Sequence, residues 1–209
     1  MKTDYLKVIF YKRVSHYTEG GGTFINQTFD ELLHAYNSNK RHYHDLNHVI
    51  HLLHLLENYK FQINDYDSLF LAIWFHDAIY AAGRNDNEQK SADWAKTFLS
   101  KTKMPTEQIT KIHRYILATQ NHETTGENDL NYFLDFDLSI LGAEEAIYDI
   151  YARQIKEEYS FFGSFLYNIG RKKALKQLLS QPLLYKTAYF RDKYEIQARE
   201  NIEREISML

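Results

Sequence analysis

His76 and Asp77 stand side by side behind the apolar run Leu69-Phe70-Leu71-Ala72-Ile73-Trp74-Phe75, with His48 upstream and Asp137 downstream in segments that also read as helical. Imidazole and carboxylate groups carried into a helical core are costly unless something charged sits among them. Two imidazoles and two carboxylates are hard-to-borderline donors, suited to a divalent Mn, Fe, Co, Ni, Zn or Mg ion. The carboxylates offset the charge of such an ion. With four protein ligands, a six-coordinate ion keeps about two positions for water or a substrate oxygen. Each residue also has a plainer reading: His48 as a hydrogen-bonded boundary histidine, Asp137 as a helix-terminal cap, and His76-Asp77 as a local ion pair.

Converging ligands need rigid supports, and the chain supplies helices. It has only two prolines and eight glycines, three of them at Gly20-Gly21-Gly22. The patterning predicts a first helix from about Tyr5 to Ser15. A capping box at Thr28-Phe29-Asp30-Glu31 then opens a short helix that Asn37-Ser38-Asn39 closes. From Asp45 to Tyr59, Leu46, Val49, Ile50, Leu53 and Leu56 recur at helical spacing, with His48 beside that face. Asp65 and Asp67 are candidate N-caps for a central helix, apolar nearly all round from Leu69 to Ile79, with Gly83 marking its end. Asn85 with Glu88 forms another capping box before Ala92, Ala95, Phe98 and Leu99. Pro105 suits the first turn of the next helix, which carries Ile109, Ile112 and Ile116 to about Asn121. A shorter element from Leu130 to Leu141 bears Asp135 and Asp137, stopped by Gly142. Long helices follow over about 144–162, 164–180 and 186–208. The expected fold is an all-α, single-domain helical bundle over 1–209, with a motif-bearing core at about 28–142 and C-terminal helices over 143–209. Most of the 17 tyrosines and 13 phenylalanines are expected in the core, Phe161-Phe162 with Phe165 among them.

With 25 basic and 28 acidic side chains in 209 residues, no broad electrostatic footprint for nucleic acid or anionic membrane is visible. The absence of cysteine removes disulfides, thiolate ligands and cysteine nucleophiles. The apolar stretch Leu6-Lys7-Val8-Ile9-Phe10 is too short for a signal peptide or a span and runs into Lys12 and Arg13, so a cytoplasmic address is expected.

The order His48, then His76-Asp77, then Asp137 on helices resembles the HD-domain superfamily of metal-dependent phosphohydrolases. Four strings bring the resemblance closer, to a bacterial family of predicted HD phosphohydrolases. They are Arg41-His42-Tyr43-His44-Asp45-Leu46-Asn47-His48, Ala72 to Tyr80 around the pair, Asn87-Glu88-Gln89-Lys90-Ser91-Ala92, and Leu134 to Gly142. Its C-terminal pattern is matched by Glu158-Tyr159, Gly170-Arg171 and Glu195 with Ala198-Arg199-Glu200-Asn201. The resemblance implies an HD-type helical domain, metal ligands at His48, His76, Asp77 and Asp137, and hydrolysis of a small phosphorylated metabolite or nucleotide. Asp137 is chosen over Asp135, which lies about 200° away on an ideal helix and would orient a ligand imidazole or cap a neighbouring element.

The same resemblance directs attention to helpers. Some HD enzymes place an acid three residues after the pair, where this chain has Tyr80; Glu88 is the alternative base, with a helix-cap reading beside it. Arg41 is the first candidate to meet phosphate, His44 a donor to it or a group acting behind a ligand, and Arg171 a further cation. His113 and His122 are about 13.5 Å apart along a regular helix, so both cannot grip one ion. His122 is the better accessory ligand or phosphate donor, while His113 is expected to face solvent. Two other functions are carried forward: a di-iron oxygenase on the same scaffold, and a non-catalytic, metal-containing ligand-binding module. Oligomeric state is left open.

Overall fold

Side chains that seize backbone groups set where the helices begin. Asp45 is extended and accepts from the Asn47 and His48 N–H groups, which starts the helix Leu46–Asn58. Asp65 accepts from the Ser68 N–H and hydroxyl and from Lys111, starting Tyr66–Phe75. Thr187 does the same for Ala188–Met208. The computed structural model describes residues 3–209; it is all-α, with no strand among the described residues. The chain divides into two compact units, one ending at His122 and one running Glu123–Leu209.

The first unit contains α1 (Thr3–Ser15), α2 (Gly22–Tyr36), α3 (Leu46–Asn58), α4 (Tyr66–Phe75), α5 (Asn87–Leu99) and α6 (Thr106–Ala118). Helix α4 is central, every residue from Ser68 to Phe75 being buried. Trp74 meets Phe10 and Phe29 edge-on, and Phe98 stacks against both Phe10 and Phe75. Each such ring contributes roughly 1.5–3 kcal/mol by leaving water.

Three expectations fail here for local reasons. Helix α2 starts six residues before Thr28, because Ile25, Phe29 and Leu32 form one continuous buried stripe that includes the supposed cap. Helix α4 stops at Phe75, well short of the expected end at Gly83. Beyond it the backbone is engaged elsewhere: Arg41 takes the Asp77 and Ala78 carbonyls, and the Ser91 hydroxyl both accepts from the Ile79 N–H and donates to its carbonyl. The Asn85–Glu88 box does not form. Asp86 occupies the N-cap of α5, its carboxylate drawn to Arg84 and Lys90 instead of helix N–H groups.

The second unit contains α7 (Asn128–Leu138), a 3₁₀ turn (Ser139–Gly142), α8 (Glu145–Glu158), α9 (Gly163–Leu179) and α10 (Ala188–Met208). The 3₁₀ turn packs hard against α10: a Cβ on Gly142 would lie 2.6 Å from the Tyr194 Cβ, so only glycine fits. Asn201 reinforces the contact by donating to the Leu141 and Ala143 carbonyls. Phe133, Phe136, Tyr185 and Phe190 form the core. Contrary to expectation, Phe161, Phe162 and Phe165 are outside it, at 67%, 40% and 76% exposure. They sit where α8 turns into α9, and the buried side of α9 is carried by Tyr167 and Leu175 alone.

Candidate metal centre

In the first unit the geometry begins with one hydrogen bond. His76 caps the C-terminus of α4, and its Nδ1 lies 2.8 Å from the Ile73 carbonyl oxygen. A carbonyl can only accept, so Nδ1 carries the proton and, in the neutral ring, Nε2 presents a lone pair. That Nε2 lies 3.2 Å from the Nε2 of His48 and 3.2 Å from the Oδ2 of Asp77. The remaining separation, His48 Nε2 to Asp77 Oδ2, is 3.9 Å. His48 and His76 are 4% and 1% exposed, so water does little to satisfy them.

Two imidazole nitrogens and a carboxylate oxygen thus converge in a largely dry place. Burial works against ionising Asp77, but the His76 ring beside it, followed by those of His44 and His48, holds its carboxyl well below the usual carboxylate range. A shared proton or a cation relieves the crowding of these atoms. Two imidazole nitrogens and a carboxylate oxygen are the donor set of a divalent ion with nitrogen and oxygen ligands, so these residues fit one. The hydrogen bond from His76 to Ile73 is the outer support such ligands commonly have.

In the second unit, α7 carries both acids of Asp135-Phe136-Asp137. Asp135 is fully buried and accepts from the Lys186 N–H at 2.6 Å, the Thr187 N–H at 2.8 Å and the Thr187 hydroxyl at 2.7 Å. Burial pushes its carboxyl up despite these bonds. Both oxygens therefore fasten the start of α10, one of the two roles expected for this acid. Asp137, two residues further on, is half-buried.

The expected helpers are dispersed among other tasks. Arg41 donates to the carbonyls of His44, Asp77 and Ala78 at 3.0, 2.6 and 3.0 Å, between the rings of Tyr36 and Tyr80. It ties the stretch before α3 to the loop after α4. The Tyr80 ring, where a helper acid would stand, stacks on His44 with centroids 4.3 Å apart. Glu88 lies half-exposed in the first turn of α5, where negative charge favours a helix N-terminus.

His122 ends the first unit in the left-handed region at φ 52, its N–H bonded to the Ala118 carbonyl. His113, expected to face solvent, is half-buried, with its ring 3.1 Å from Asp93. Arg171 is held in the second unit, bidentate to Glu205 at 2.8 and 3.0 Å. Its guanidinium joins α9 to α10 and is buried, which is a structural role rather than an exposed anion site. Sequence reasoning passed over Ser91 and Asn87, both buried, which fix the loop after Asp77 through Ile79 and Ala81. Their signal was there in the Asn87-to-Ala92 string, whose polar residues recur at four.

Comparison adds no relative: no family model, curated protein or solved structure matches this chain.

Proposed function

We propose that this chain is a cytoplasmic, metal-dependent phosphohydrolase acting on a small phosphorylated metabolite or nucleotide, with His48, His76, Asp77 and Asp137 holding the ion. The reading is carried by the convergence of the His48 and His76 Nε2 atoms with the Asp77 carboxylate. Asp137 is proposed as the further ligand because Asp135 is taken up by α10. A divalent ion, when bound, supplies Lewis acidity toward water and toward a phosphoryl oxygen.

The protein's own groups then hold the donors in place. The Ile73 carbonyl fixes the His76 tautomer, the Asp45 cap fixes the first turn of α3 and with it His48, and Arg41 fixes the backbone on which Asp77 sits. His44, stacked on Tyr80, is the side chain we assign to contact a phosphate oxygen or relay a proton. The test is metal analysis of purified protein together with turnover of a nucleotide and phosphoester panel under several divalent ions. One ion per chain and activity lost in Asp77→Ala are expected; no hydrolysis across the panel by metal-loaded protein overturns the reading.

A second reading, a non-catalytic metal-containing module, draws support from Arg41 and Tyr80. Both stand where a phosphate clamp and a proton-transfer acid were expected, and both are engaged in holding the loop. Saturable binding of a phosphorylated ligand without turnover would select it.

A further inference from the structure

Three helices of the first unit present matching stripes to a cavity of about 440 Å³, which nothing above uses. Helix α1 contributes Leu6, Ile9 and Lys12, each about one turn from the last; α3 contributes Leu53, His54 and Glu57; α4 contributes Tyr66, Phe70 and Trp74. The volume lies within the range of small-molecule sites, roughly 300–1,000 Å³.

The lining is graded along its length. At one end Tyr5 and Ile9 offer apolar surface, backed by buried Leu6, Leu53, Phe70 and Trp74, whose indole N–H has no acceptor among the described residues. At the other end the C-terminus of α1 meets the N-terminus of α4, and there the charges gather. The Arg13 fork is already taken, since it bonds Asp67 at 2.8 Å and lies over the Tyr66 ring. Glu57 is likewise satisfied by Lys60 and the Tyr66 hydroxyl. Lys12 differs: its ammonium has no acceptor among the described residues, and it stands on the rim of the cavity.

The geometry points to a second ligand site here, for a small amphipathic monoanion: an apolar chain or ring bearing one carboxylate. The apolar end takes the body of the molecule and Lys12 meets its head as a point charge. A phosphate dianion fits less well, because the arginine that would clamp it in two places is bonded to Asp67 and a carboxylate stands nearby. This ligand is thus chemically distinct from the phosphorylated substrate proposed above, and the inference stands independently of that reading.

The test uses 8-anilinonaphthalene-1-sulfonate, an apolar monoanion that fluoresces on leaving water, titrated into the intact chain with tryptophan excitation. One saturable site per chain is expected, with energy transfer from tryptophan and displacement by decanoate but not by decylamine. Lys12→Glu should weaken binding by about tenfold or more, as charge reversal at a pairing site does. Ile9→Trp, at a half-buried position on the wall, should remove it by filling the cavity; Leu53→Phe is the alternative should that variant lose helicity. Non-saturable binding, equal displacement by decylamine, or affinity unchanged in both Lys12→Glu and the filled variant would overturn the inference.

Discussion

Two buried polar clusters, one in each unit, differ in how their charges are balanced. In the second unit, Arg171 and Glu205 form a bidentate pair, Tyr148 donates to the same carboxylate, and Arg171 reaches the Tyr151 hydroxyl. Each charge there meets its counter-charge or a hydroxyl. Burial opposes the charge on Arg171, yet the surrounding phenols and Glu205 outweigh it and raise its pKa well above the ordinary value. In the first unit, the His48 and His76 Nε2 atoms and the Asp77 carboxylate converge on one another. The first arrangement is complete in itself and stabilises helices. The second brings two imidazole nitrogens and a carboxylate oxygen to one point, the donor set of a divalent ion, and that difference separates a structural polar core from a candidate metal centre.

Four expected outcomes test this contrast. The largest effect belongs to Asp77→Ala, which should lower phosphohydrolase turnover by about a thousandfold or more and remove bound metal while leaving helicity unchanged. Next, Glu205→Ala leaves a buried guanidinium without its counter-charge and should cost about 3–5 kcal/mol in urea unfolding. Replacing Arg171 and Glu205 together by apolar residues should recover much of that loss. An equal loss in both variants would mean that the pair is not the balanced unit described here.

A smaller and more selective effect comes from the two acids of α7. Asp135→Ala should destabilise the second unit by about 1–3 kcal/mol through lost helix capping and orphaned N–H groups, with metal content retained. Asp137→Ala should do the reverse. If Asp135→Ala removes the metal instead, the ligand assignment moves to that residue. The smallest effect is a pH dependence. Burial opposes ionisation of Asp65, but the bonds from Ser68 and Lys111 outweigh it and hold the carboxyl below its ordinary value. Its contribution is therefore present above the unfolded carboxylate pKa of about 4 and is lost as pH falls through the lower folded value. Asp65→Asn should flatten that acid limb of the stability curve.

Helices were legible wherever an apolar stripe and a capping side chain agreed, as at Asp45 and Asp65. They were misread where tertiary bonds overrode local signals. Nothing within α4 announces a stop at Phe75, because the groups that end it, Arg41 and Ser91, come from distant positions. The Thr28 box satisfied a local rule while lying inside a buried stripe. For the candidate site, the pairing of His48 with His76-Asp77 could be read from residue type and order. The role of Arg41 could not, since a guanidinium that recognises phosphate and one that binds three carbonyls look alike in sequence. The exposed Phe161 and Phe165 were equally hidden, because hydrophobicity does not say which side of a turn faces water.

The Arg41 clamp has a kinetic consequence. One guanidinium joins the carbonyls of His44, Asp77 and Ala78, so the stretch leading into α3 and the loop leaving α4 cannot open separately. Amide hydrogen exchange over the two segments should follow a single opening free energy in the native protein and split into two in Arg41→Ala. A ligand that holds Asp77 would then slow exchange near His44 as well, through the single guanidinium that joins their carbonyls.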